Sequence, residues 1–153
     1  LRRHKEDITI AAIPQDFIKN SLSYLHTIVQ KLDDDIQTVE ALLIRFTTNV
    51  NAGRMLKRLL FWWPESVKQT GEVYKSAADW NAELCLSAHQ VYDVHNKQYL
   101  EKVGVIRRQR QPSKGNPMHY SLDVPEFFDK LATFLEVDAE QLLAWMTDES
   151  LPE

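Results

Sequence analysis

Leu84-Cys85-Leu86-Ser87-Ala88-His89-Gln90-Val91-Tyr92 is the stretch whose reading decides the fold. Ser87 and Gln90 stand three apart, a hydroxyl followed by a side chain that reaches back to it. That is the capping-box form, and it opens a helix. Val91, Val94 and Leu100 give this helix an inward face to about Val103, and Gly104 ends it. Upstream, Ser76-Ala77-Ala78-Asp79 is a second capping box, whose helix runs to about Leu84 with Ala77, Trp80 and Leu84 inward. A helix, a very tight turn and a second helix follow directly.

Working outward, Val105-Ile106 begins a strand that carries Arg107, Arg108 and Arg110. Gln111 to Pro117 has loop composition. Met118 to Leu122 alternates as the return strand of a hairpin. Before the helix pair, Glu72-Val73-Tyr74 after Gly71 is a short strand. Ahead of that, Met55, Leu56, Leu59, Leu60 and Trp63 mark a helix that Pro64 stops. After the hairpin, Asp123-Val124-Pro125-Glu126 is a third capping box that starts a helix through Leu135, and Asp138 caps a last one with Leu142, Leu143, Trp145 and Met146.

The order helix, strand, helix, tight turn, helix, strand, basic loop, strand resembles a winged helix-turn-helix. The likeness covers Met55 to Leu122. It is sharpest in Leu84 to Tyr92, Leu100 to Arg108 and His119 to Asp123, which look like bacterial, phage and plasmid DNA-binding proteins, replication initiators and transcription regulators among them. The resemblance implies a recognition helix starting at Ser87 and a wing around Lys114. It implies double-stranded DNA as the partner, read by Ser87, His89, Gln90, Tyr92, His95, Asn96 and Lys97. Arg107, Arg108, Arg110 and Lys114 on the wing would then meet phosphates or the minor groove. Helix geometry agrees, because the N-terminal residues of a helix laid in the major groove meet base edges. Lys57, Arg58 and Lys75 are further candidate backbone contacts.

The alternative is a winged helix used for protein–protein interaction or assembly. Recognition helices of this class commonly carry two or more Arg or Lys, whereas this one has acidic Asp93 and two histidines that are largely neutral at pH 7. Charge is unevenly spread: 22 acidic and 18 basic residues leave a net −4. Lys97, Lys102, Arg107, Arg108, Arg110 and Lys114 face Glu101 alone across 97–114. From Asp123 onward acids dominate, with Lys130 the one base. Local potential, rather than the total, sets affinity for nucleic acid.

The N-terminal third has a different pattern. Ile18, Leu22, Leu25, Val29, Leu32, Ile36, Val39, Leu43, Phe46 and Val50 repeat in steps of four and three. This is a helical stripe of 3.5 period. Two readings stay open. One is a continuous helix pairing with a second copy; the other is two helices broken near Asp33-Asp34-Asp35 and folded inward, onto each other or the C-terminal helices. Asn49 to Gly53 is read as the end of this segment. The resulting plan is mainly α: an arm over 1–13, a long helix or helical hairpin over 14–52, a winged-helix domain over 53–122 and two C-terminal helices over 123–153. A homodimer through 14–52 is expected, because paired half-sites multiply affinity.

Other features are expected to be bland. Trp62, Trp63 and Trp80 read as core aromatics, and Cys85 as a small hydrophobe at a buried helix end. His89 and His95 lack the i, i+4 spacing of helical metal ligands. No phosphate loop, catalytic carboxylate frame or zinc spacing is present, so neither enzyme activity nor a metal or cofactor is expected. Leu1 to Glu6 is basic with no apolar run behind it, which reads as no secretory leader, and Leu at position 1 reads as a fragment or processed chain. No apolar run approaches the roughly 18 residues that span a bilayer. With one cysteine, a cytoplasmic location is expected.

Overall fold

In a computed structural model, residues 13–14, 16–32, 35–68, 70–109 and 116–147 are described. They form a mainly helical protein with one small antiparallel sheet. The helices are α1 (Phe17–Lys31), α2 (Val39–Thr47), α3 (Val50–Val67), α4 (Ala77–Leu84), α5 (Ala88–Asn96), α6 (Val124–Leu135) and α7 (Ala139–Thr147). The strands are β1 (Val73–Lys75), β2 (Val105–Arg108) and β3 (Met118–Leu122), and β3 lies in the middle of the order β1-β3-β2.

The stripe resolves into separate helices. α1 ends at Lys31, and Thr38 caps α2 through its hydroxyl, which accepts from the Ala41 amide. Part of the stripe is core: Leu25 and Leu43 are fully buried, with Val29 and Phe46 close to it, and Ile18, Leu22, Leu32, Ile36 and Val39 pack, partly buried, against the same core. Phe17 and Phe46 both lie against Phe127 of α6, and Phe46 also meets Phe134. The chain's own core thus takes up much of the stripe, as in the inward-folded alternative, while Val50 at its end is 56% exposed.

Asn49 to Gly53 does not end a segment. Thr48 takes the left-handed conformation that closes α2, and the Asn49 side chain accepts from the Ala52 amide to open α3. Gly53 sits inside α3, where a Cβ would fall 2.5 Å from the Ile44 Cα. The glycine is therefore the crossing point of two helix backbones rather than a terminator. Nor does Pro64 stop α3, which continues to Val67. A proline there removes one ladder bond near the helix end, while buried Leu59, Leu60 and Trp63 hold that stretch against the core.

The middle of the chain follows its caps. Two of the three expected capping boxes form, at Ser76/Asp79 and Ser87/Gln90, while at the third Asp123 caps its helix by accepting from the Glu126 amide. Cys85 ends α4 in the left-handed region with φ 61° and is exposed, not buried. Ala77 is also exposed, leaving Trp80 as the buried residue of α4. α5 is shorter than expected: it stops at Asn96, and a 3-10 turn over Glu101–Val103 leads to Gly104. Gly104 has φ 102°, and a Cβ there would lie 2.9 Å from the Phe127 amide nitrogen, so position and conformation both require glycine. The buried apolar side chains form one cluster, from Ile13 to Met146.

Candidate nucleic-acid interface

α5 presents one face to the core and one to solvent. Val91 and Val94 are buried, while His89, Tyr92, Asn96 and Lys97 are exposed, Tyr92 at 63%. Ser87 and Gln90, both expected to read bases, are also exposed but already engaged with each other. The Gln90 amide donates to the Ser87 hydroxyl at 3.1 Å, and the Ser87 amide donates to Gln90 Oε1 at 2.8 Å. Their first role is to start the helix. Lys97 lies 3.6 Å from Asp93, so the two charges on this face largely offset each other.

His95 does not face outward as expected. Its Nε2 lies 2.8 Å from the hydroxyl of Tyr120, a fully buried residue of β3. The same hydroxyl accepts from Trp80 Nε1 at 3.0 Å, and the Tyr120 carbonyl accepts from Trp63 Nε1 at 3.3 Å. Burial first, and the Arg107 charge second, push His95 down to about 4. The ring is therefore neutral at pH 7, and the Tyr120 proton has an acceptor in its Nε2. Burial holds the Tyr120 hydroxyl well above its ordinary value. This chain of groups bolts α5 to the sheet and to α3 and α4.

Arg107 belongs to the same bolt rather than to a wing. Its Nε donates to Glu101 Oε2 at 2.6 Å, and its Nη2 donates to the His95 carbonyl at 3.1 Å, near the end of α5. Arg108 points the other way. It is half exposed, yet its Nη2 donates to both oxygens of Glu72, at 2.8 and 2.7 Å. Glu72 also lies 3.1 Å from His119 Nδ1, and the His119 ring lies against Tyr74 with centroids 4.3 Å apart. The bond from His119, helped by Arg108, holds the Glu72 carboxyl below its ordinary range. Arg110 and Lys114, the other residues expected on the wing, lie outside the described residues.

The other expected backbone contacts are engaged too. Glu83 gathers Arg58, Lys75 and the Trp62 indole N–H, and Lys57 reaches Glu40 at 4.0 Å. Lys75 is buried, and Trp62, unlike Trp63 and Trp80, is partly exposed. An open groove of about 610 Å³ separates α5 from the hairpin, lined by Tyr92, Asn96, Gln98, Gln109, Asn116 and Ser76 among others. Lys75 and Arg107 also line it, each paired with a carboxylate, and the amides among its other walls suit hydrogen bonds to polar edges. Glu72, Tyr120 and Gln109 were not singled out from the sequence, since their roles depend on strand pairing and not on any local motif, and neither was Gln98, in the turn after α5.

Among the described residues no group of three or more His, Cys, Asp or Glu is placed to hold a metal ion, and no helix is long and apolar enough to cross a membrane. The chain matches no family model, no curated protein and no solved structure.

Proposed function

We propose that the chain is a winged-helix protein that binds double-stranded DNA sequence-specifically, as a transcription regulator or replication initiator. The observation that carries this reading is α5 itself. It is an exposed helix, rigidly seated through His95, Tyr120 and Arg107, with His89, Tyr92 and Asn96 outward at its free face. Supporting it are the element order from α3 to β3 and the sheet order β1-β3-β2, which fit a helix-turn-helix followed by a hairpin. Hydrogen-bonding and aromatic side chains on a fixed helix suit direct readout in the major groove. The basic residues around the hairpin tip suit phosphate contact.

A second reading, a protein-interaction module, is favoured by one observation. The charges that would grip phosphates are largely neutralised from within: Lys97 by Asp93, Arg107 by Glu101, and Arg108 by Glu72. Selection from a random duplex pool separates the two. An enriched motif is the expected result, and Asn96→Ala should then relax preference at one base position by about 1–3 kcal/mol while weakening non-specific binding less. No enrichment, with a protein partner recovered instead, favours the interaction module. A preference unchanged by replacing His89, Tyr92 and Asn96 together would remove α5 from base reading.

A further inference from the structure

The outer face of the sheet carries a row set by strand register. Tyr74 on β1, His119 on β3 and Arg108 on β2 are direct cross-strand partners. Glu72, just before β1, closes the end of this row with its carboxylate against both Arg108 and His119. The two partners are unequally fixed. The Glu72 side chain is 18% exposed and tied to a histidine whose ring lies against Tyr74, whereas the Arg108 side chain is 54% exposed. The carboxylate is the anchored member and the guanidinium the one with freedom to leave.

A carboxylate offering two oxygens to a guanidinium presents the same chemistry as a phosphodiester. Arg108 is on the strand that leads into the hairpin tip, beside the basic residues expected to meet DNA. We infer that Glu72 is an internal stand-in for a DNA phosphate: it holds Arg108 in the free protein, and a phosphate of bound duplex takes Arg108 over. This rests on the DNA-binding reading above. Its consequence is selectivity. Moving Arg108 to a phosphate exchanges one ion pair for another and leaves Glu72 facing the duplex, so Arg108 adds little to indiscriminate binding. It contributes where the duplex is seated closely enough by α5 to displace the carboxylate.

The experiment is a double-mutant cycle of Glu72→Gln and Arg108→Gln on duplex without the selected motif, measured across a salt series. Glu72→Gln alone should tighten binding about two- to fivefold, the range of an exposed ion pair, and steepen the salt slope by up to about 0.9. In the Arg108→Gln background the same change should do much less. Equal tightening in both backgrounds means only the loss of a repelling charge, and overturns the inference. So does an unchanged affinity, while leaving the DNA reading intact. Failure of the wild type and every variant to bind any duplex overturns both. The wild type provides a mutation-free check: adding duplex should move the Arg108 Nε–H and His119 ring resonances together, and a His119 ring that stays put while Arg108 shifts counts against the exchange.

Discussion

His95 is the residue whose environment has the clearest energetic consequence. Its folded value of about 4 lies below the ordinary 6.5 because burial and the Arg107 charge disfavour the cation. In the unfolded chain the ring takes up a proton near pH 6.5, so between about pH 6.5 and 4 the unfolded state binds more protons. Stability from this group is present above pH 6.5 and lost as the pH falls through that window. From pH 7 to pH 5 the loss should be about 2 kcal/mol, read from urea unfolding at the two pH values. His95→Gln should flatten that dependence. A wild-type stability that is level over this range would show that His95 is charged or exposed. The lowered carboxyl of Glu72 acts at more acid pH, below its ordinary 4.5, and does not confuse the comparison.

At the scale of elements, the helix starts and crossings carry the design. Ser87→Ala removes the hydroxyl that caps α5 and should cost about 1 kcal/mol. Thermal unfolding measures that cost, and because α5 is short, protection of its amides in hydrogen exchange should fall more than protection in α3. Gly53→Ala should cost more, roughly 1–3 kcal/mol, because the methyl meets the Ile44 backbone and two helices must part. If Gly53→Ala is neutral or stabilising, as an ordinary mid-helix glycine replacement would be, the close crossing of α2 and α3 is wrong. The caps were legible in the sequence because a capping box is a local pattern. The crossing was not: a glycine after an Asn reads as a helix terminator until the partner backbone is known, and Asn49 caps the next helix instead.

For the whole molecule, the decisive question is what the stripe covers. Leu25 is fully buried in α1, within the same cluster as Phe127 and Leu142. Leu25→Asp places an unpaired carboxylate in that core, at a cost large enough to rival the roughly 5–15 kcal/mol stability of a typical domain. It should abolish cooperative unfolding by circular dichroism. A variant that stays folded and merely changes its sedimentation would instead make the stripe an interface between copies.

The sequence alone determined the order and type of the central elements, from α4 through α7, because capping hydroxyls, turn residues and alternating strands act over a few neighbours. It also marked which face of α5 is buried through Val91 and Val94. Tertiary structure decided the rest. His95, Arg107 and Arg108 looked alike as exposed polar groups, yet one is bolted to Tyr120, one holds the His95 carbonyl and one is held by Glu72. Tyr120 and Glu72 are 25 and 36 residues away from the side chains they hold, His95 and Arg108. Helical periodicity likewise identifies an apolar stripe without saying what fills the other side of it. Here the answer came first from α3, against which both α1 and α2 pack, and then from α7 and the Phe127 side chain of α6 at the far end of the chain. Only folding brings such distant partners together, so no local pattern can record them.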